Sequence, residues 1–354
     1  MKTLKQHTLA DKVQSDVWVG VDTHRDTNQV GLFSHEQGLI HHWRQPSSPG
    51  VLCKVLAPIK ERVRMIVYEA GPTGFGLART LRGNGFPVMV VAPSHIPKMP
   101  GRQPKTDSLD CQKLAMLAAK GMLQQVYTPT EEEEADRALM RQREQYVRKL
   151  RRVKHHIKSF LLFHGLPEPE GLTNWANRAI ATLKAMHLNH ELRFCLDQLL
   201  KELGWMQGQV LRVTKHIKEL AATERHQQAY KQLTSVPGVG LITAMTFRTE
   251  LLAPERFTRP EQVTRMIGLA PQIRQSGNSQ WNGAVMKSGN ARIRSILVES
   301  SWRWIRYDPW ARSQYMRILS NTGSAKKAIV ALARKLAIKL WRIETRGESY
   351  KMAA

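Results

Sequence analysis

Four acidic residues sit where carboxylates can act together. Asp22 closes the apolar stretch DVWVGVD, and Glu69 lies at the end of MIVYEA. Asp107 and Asp110 open KTDSLDCQKLAMLAAKG, whose apolar stripe runs on through Leu114, Leu117 and Ala118. Helical spacing puts both aspartates on the inward stripe rather than the wet face. Acids gathered there repel one another and resist ionisation unless a cation joins them. The four carboxylates taken together, without a cysteine or histidine partner, make a hard oxygen donor set suited to Mg²⁺ or Mn²⁺. Two such ions, about 4 Å apart, would polarise a scissile phosphate and steady the attacking and leaving oxygens. Each acid also has a plain structural reading. Asp107 could cap its helix with Asp110 in the next turn, Asp22 could begin a turn, and Glu69 could pair with Arg25 or Lys105. The order strand, strand, helix favours shared ligation.

The elements needed to position these acids can be read along the chain. Asp16–Asp22, Asn28–Phe33 and the LIHHW stretch read as three successive strands. VLCKVLAPIKERV reads as a helix, Met65–Ala70 as a strand, GFGLARTLRGNG as a helix and Pro87–Pro93 as a strand. A Pro- and Lys-rich loop, SHIPKMPGRQPK, then leads to the aspartate-bearing helix. A meander followed by alternating helices and strands predicts a mixed sheet covered by helices over 1–130.

From 131 to 230 the pattern is helical. Leu139, Tyr146, Leu150, Val153, Ile157 and Leu161 or His164 keep three-and-four spacing. A cleaner run, Leu192, Leu196, Leu199, Leu203, Met206, Val210, Val213, Ile217 and Leu220, forms an a/d seam over four heptads. The seam predicts self-association as a coiled coil; the alternative is a helical hairpin within one chain. Between 141 and 158 eight cations face one anion, Glu144, which predicts a phosphate-facing surface that includes Arg141, Arg148, Arg151 and Arg152.

The third segment, 231–354, opens with LTSVPGVGLITAMTF, similar to half of a helix-hairpin-helix. Gly238 and Gly240 would let backbone N–H groups approach a phosphate. From Pro271 to Ala354 there are 16 Lys/Arg and 4 Asp/Glu, with Trp281, Trp302, Trp304, Trp310 and Trp341 interleaved.

Bulk composition agrees with a nucleic-acid partner. The 354 residues carry 54 Lys/Arg and 29 Asp/Glu, a formal charge of +25. Three scattered cysteines, Cys53, Cys111 and Cys195, argue against a zinc site or a disulfide framework and for a reduced cytoplasm. No signal peptide or membrane span is expected from the apolar runs.

The ordered set VGVDTH, YEAGPTG, the basic loop and KTDSLD resembles the N-terminal domain of the DEDD transposases of the insertion sequence 110 family. VPGVGLITA, IGLAPQIRQSGNS and KSGNARIRSILVE are similar to that family's C-terminal domain. The resemblance spans nearly the whole chain, in order. It implies an RNase H-like, RuvC-type domain, a coiled-coil linker and a mostly helical, serine-bearing transposase domain. Asp22, Glu69, Asp107 and Asp110 match the DEDD set. The family's nucleophile falls on Ser276, with Ser279 and Ser288 close by. Further implied are a phosphoserine intermediate, a structured bridge RNA that pairs with donor and target DNA, and a homo-oligomer, dimer or tetramer, whose partner acids complete the serine's site. The setting implied is the bacterial cytoplasm. Arg274, Lys287, Arg292 and Arg294 could supply positive charge beside the serine, and Gly277 backbone room. The competing reading is a RuvC-like junction nuclease that hydrolyses DNA with the metal-bound acids alone. A non-catalytic nucleic-acid-binding protein is the third.

Overall fold

The computed structural model describes residues 7–97, 107–276, 279–286 and 288–352. These divide into two units, Met1–Thr130 and Glu131–Ala354.

In the first unit, α1 (His7–Lys12) precedes β1 (Val17–Thr23), β2 (Thr27–Ser34) and β3 (Gly38–Pro46). Then come α2 (Pro49–Leu56), β4 (Val63–Glu69), α3 (Gly76–Gly83), β5 (Val88–Val91) and α4 (Asp107–Ala119). The helix expected from 51 to 63 stops at Leu56 and tightens into a 3₁₀ segment, Ala57–Arg62. Pro58, which lacks an N–H, sits at that break. The five strands lie in the order β3-β2-β1-β4-β5. β1 and β2, and β2 and β3, are antiparallel, whereas β1–β4 and β4–β5 are parallel. The sheet is therefore mixed, as the strand and helix pattern predicts.

Strand alternation sorts the residues between two faces. Val19, Val21, Val30, Leu32, Ile66 and Tyr68 share a buried cluster with Leu9, Leu52, Leu56, Leu77 and Leu81. On the other face Val67 and Val91 bury against Leu114 of α4. Here α4 comes unusually close to the sheet. A Cβ on Gly20 would lie 1.9 Å from the Cys111 carbonyl oxygen, and one on Gly31 would lie 3.1 Å from the Gln112 Cα. Gly20 and Gly31 are cross-strand partners. Two missing side chains in register make the trough that seats the helix.

The second unit opens with α5 (Glu131–Phe163), α6 (Asn177–Ala185) and α7 (His190–Ala221). Four glutamates fill the first turn of α5, where they complement the helix dipole. Asn189 caps α7 by accepting from the Leu192 N–H at 2.9 Å. The a/d seam of α7 is occupied within the chain. Leu196, Leu199, Leu203 and Met206 bury against Val153, Ile157 and Leu161 of α5. The helical hairpin, the alternative to self-association, is thus present within the chain and buries this part of the stripe. Leu172, Ala179 and Leu183, from the connection between the two long helices, join the same cluster.

Next come α8 (Glu224–Leu233), α9 (Leu241–Leu251) and α10 (Pro260–Ile267), then a hairpin of β6 (Pro271–Ser276) and β7 (Ser279–Val285). The chain continues with α11 (Ala291–Tyr307), α12 (Pro309–Thr322) and α13 (Ala325–Arg346). Trp304 is fully buried among Phe247, Leu297, Leu336 and Leu340, so this tryptophan serves the core. Packing is continuous across residue 231, since Met140, Ile217 and Ala221 bury with Met245 of α9. Among the described residues, no helix is long and apolar enough to cross a membrane.

Candidate active site

The pleat decides where the acids point. Asp22 lies two residues beyond Gly20, so it projects from the same face, toward α4. Val67 is the parallel partner of Gly20 and packs on Leu114 of α4. Glu69, two residues beyond Val67, therefore faces the same way. The β1–β4 register ends at Val21 and Tyr68, so Asp22 and Glu69 are the next residues on neighbouring parallel strands.

α4 brings the third acid. Asp110 is one turn ahead of Leu114 and adjoins Cys111, which is fully buried. The Cys111 thiol is pushed up to about 11, first by burial and further by the negative charges of Asp22 and Asp110. Both carboxylates therefore lie within electrostatic reach of one sulfur. Asp22 is 23% exposed at its side chain and meets His24 Nε2 at 3.1 Å. Asp107 is the first residue of α4, one turn before Cys111, and its side chain lies outside the described residues.

Asp22, Glu69 and Asp110 thus share one end of the sheet. They do not close into a three-ligand group by themselves: among the described residues, no three His, Cys, Asp or Glu side chains gather tightly enough to hold a metal ion. In kind the donors, carboxylate oxygens on neighbouring elements, fit a hard divalent ion. His24 and Cys111 are the side chains at this site that the carboxylate pattern passes over. Their signal was adjacency alone, two residues after Asp22 and one after Asp110.

Ser276 ends β6, and its backbone is paired with Ser279 across the hairpin. The side chains of Ser276, Ser279 and Arg274, and all of Gly277 and Lys287, lie outside the described residues. Ser288 is exposed. The hairpin's exit is anchored firmly. The Asn290 N–H donates to the Met266 carbonyl at 2.8 Å, and the Asn290 side chain accepts from Arg292 and Ile293 at the start of α11.

Several expected phosphate contacts are engaged elsewhere. Arg141 makes a bidentate pair with Glu250, at 2.8 and 3.0 Å. The Glu250 side chain has no exposed surface and also receives Arg137 at 3.5 Å and Asn290 Nδ2 at 2.9 Å. Burial works to raise the Glu250 pKa. The hydrogen bonds from Arg141 and Asn290, with the charges of Arg141 and Arg137, outweigh it and hold the carboxyl below its ordinary value. Arg141 is thus a partner of a buried carboxylate, which would be costly to leave unpaired. Glu144 takes both Arg148 and, at 2.7 Å, Arg292. Arg294 donates to the Ile267 carbonyl at 3.1 Å. Gly238, at φ +86°, packs against α11, where a Cβ would lie 2.8 Å from the Trp304 nitrogen. Its glycine serves helix packing. Gly240 at the start of α9 faces open space, and Arg151 and Arg152 are exposed. No sequence period marks Glu250 as the hub of these pairs.

Comparison with known proteins reads this geometry in context. Residues 19–165 match the IS110 DEDD transposase model, and residues 230–316 match the transposase IS116/IS110/IS902 family model. The y4qE protein of Sinorhizobium fredii, which carries a transposase name, is 30% identical over 336 residues, 94% of this chain and 80% of that protein. The transposase for insertion sequence element IS1111A of Coxiella burnetii is 26% identical over 95% of this chain and 92% of its own length. The transposase for insertion sequence element IS1533 of Leptospira borgpetersenii is 27% identical over 92% and 94% respectively. The first match begins just before Asp22 and runs past Asp110, so it contains all four acids, and the second contains the serine hairpin. With Asp22, Glu69 and Asp110 toward one end of the sheet and its likeness to these proteins extending over nearly its whole length, the chain belongs to the IS110 family of DEDD transposases.

Proposed function

We propose that this transposase cuts and rejoins DNA through a covalent link to Ser276. In this reading Asp22, Glu69, Asp107 and Asp110 hold Mg²⁺ or Mn²⁺ in an RNase H-like domain, and a structured bridge RNA pairs with donor and target DNA. The observation that carries the reading is the shared direction of Asp22 and Glu69, side by side on parallel strand ends beneath the first turns of α4. When bound, a divalent ion supplies positive charge at the scissile phosphate.

The chain's own residues account for the exchange. The Ser276 oxygen forms a new bond to phosphorus. The bond from phosphorus to a deoxyribose oxygen breaks, and that oxygen leaves with a proton. Attack by a different deoxyribose hydroxyl then releases the serine and rejoins the strand. One phosphodiester is traded for another, so no nucleotide is consumed, and the chain has no Walker A motif. A second subunit contributes its acids to the serine's site, as the family resemblance implies.

Ser276→Ala tests the nucleophile. Incubated with DNA and Mg²⁺ and run on a denaturing gel, the wild-type chain should give protein–DNA adducts. The variant should give none while still binding DNA. Adducts that persist in the variant would move the role to Ser279 or Ser288. Cleavage by the wild type into free ends, with no protein attached, would favour the metal-only nuclease.

A further inference from the structure

On α5, Arg137, Arg141 and Arg148 pair with Glu250 or Glu144, whereas the α11–α12 corner gathers cations that meet no carboxylate among the described residues. Arg303 and Arg306 lie three residues apart on α11 and are both exposed. Arg312 of α12 folds back onto the end of α11, with Nη2 donating to the Arg306 carbonyl at 3.1 Å. None of the three has a carboxylate within ion-pair distance among the described residues, and the nearby Asp308 is buried, accepting from Trp304 Nε1 at 3.0 Å and the Ala311 N–H at 2.9 Å. The corner therefore presents three guanidinium groups with no internal counter-charge.

Aromatic rings share this surface. Trp302 is 48% exposed and Tyr307 is 64% exposed, an unusual state for side chains of that size. Tyr315 of α12 lies beside Trp302 with ring centroids 5.8 Å apart. On α11, Trp302 and Arg306 are four residues apart and Arg303 and Tyr307 are four apart, so a ring and a guanidinium group sit one turn apart on each of two neighbouring rows. Duplex DNA hides its base faces and is read through edges and phosphates. Single strands present those faces, and proteins bind them by combining stacked rings with backbone-neutralising cations.

We propose that the α11–α12 corner, formed by Trp302, Arg303, Arg306, Tyr307, Arg312 and Tyr315, binds single-stranded DNA. The rings stack on bases while the guanidinium groups meet the phosphates. Such a surface would hold a strand left unpaired during the proposed exchange, a role distinct from cutting it.

Binding can be read without any cleavage, so failure here is distinguishable from failure of the serine mechanism. The full chain is titrated with a fluorescent oligothymidylate, a duplex of equal length and an oligouridylate, by anisotropy at several salt concentrations. Trp302→Ala and Tyr307→Ala should each weaken oligothymidylate binding roughly tenfold and leave duplex binding unchanged. Arg303→Ala with Arg306→Ala should weaken it and flatten the salt slope by roughly 1.4 for the two lost phosphate contacts. Both helices keep their buried residues in these variants, and circular dichroism checks that each variant is folded. The proposal is overturned if the aromatic variants bind oligothymidylate as the wild type does, if they lose duplex binding equally, or if the corner prefers oligouridylate.

Discussion

At the scale of single residues, charges that look alike in the sequence have opposite fates. Arg141 and Arg151 belong to one basic run, yet Arg141 pairs with a fully buried carboxylate and Arg151 faces solvent. Glu250→Ala would strand Arg137 and Arg141, both partly buried beside it. We expect a loss of about 3–5 kcal/mol, measured by chemical denaturation. Glu250→Gln should lose less, because its amide oxygen still accepts from Asn290. A loss under about 1 kcal/mol for the alanine variant would show that the hub is not stabilising. Gly20 makes the complementary point, since its value lies in the side chain it lacks: any Cβ there meets the α4 backbone.

Among the elements, the long hairpin gains its stability from one shared seam. α5 and α7 have 33 and 32 residues, about 50 Å each at helical rise. Leu203 is 1% exposed in the middle of that seam. Leu203→Ala should cost about 2–5 kcal/mol of stability. Because the side chain faces α5, sedimentation should show an unchanged oligomeric state. Dissociation of an oligomer without loss of monomer stability would mean that the seam serves a second copy instead. The parallel pair β1–β4 shows the same logic in the first unit, where strand register rather than proximity in sequence sets Asp22 beside Glu69.

Over the whole molecule, a net charge of +25 coexists with buried ionic networks that the total does not reveal. His226, 5% exposed, links three helices. Its Nε2 meets Asp136 Oδ2 at 2.9 Å, and its Nδ1 accepts from Arg248 Nε at 2.8 Å. Arg248 in turn holds Glu344 of α13 at 2.5 Å. Burial, followed by the charges of Arg248 and Arg225, lowers the His226 pKa below its ordinary value of 6.5, against the pull of Asp136. The folded ring is then neutral where the unfolded ring takes a proton. Its contribution to stability is complete above about pH 6.5 and declines as the pH falls toward the lower folded pKa. Thermal melts from pH 7.5 to 5 should therefore show a falling midpoint, and His226→Gln should flatten that slope. An identical slope in the variant would assign the decline to other groups. Glu250 acts in the same direction further down, because its depressed carboxyl loses stability only as the pH drops below about 4.5.

The residues by themselves determined the periodic features: alternating strands through Asp22 and Glu69, the helix opened by Asp107 and Asp110, and the two long amphipathic helices. Local spacing specifies these because each face must be buried somewhere. The family likeness was equally legible, since it rests on ordered motifs. What covers each face was decided only by tertiary structure. The α7 stripe is compatible with a second copy or with α5, and α5, tethered in the same chain, fills it. The basic run could meet phosphates or carboxylates, and a buried Glu250 on α9 claims Arg141. Periodicity names a face and a charge names a sign. Which partner satisfies them depends on contacts between residues far apart in the chain, and those arise only when the chain has folded.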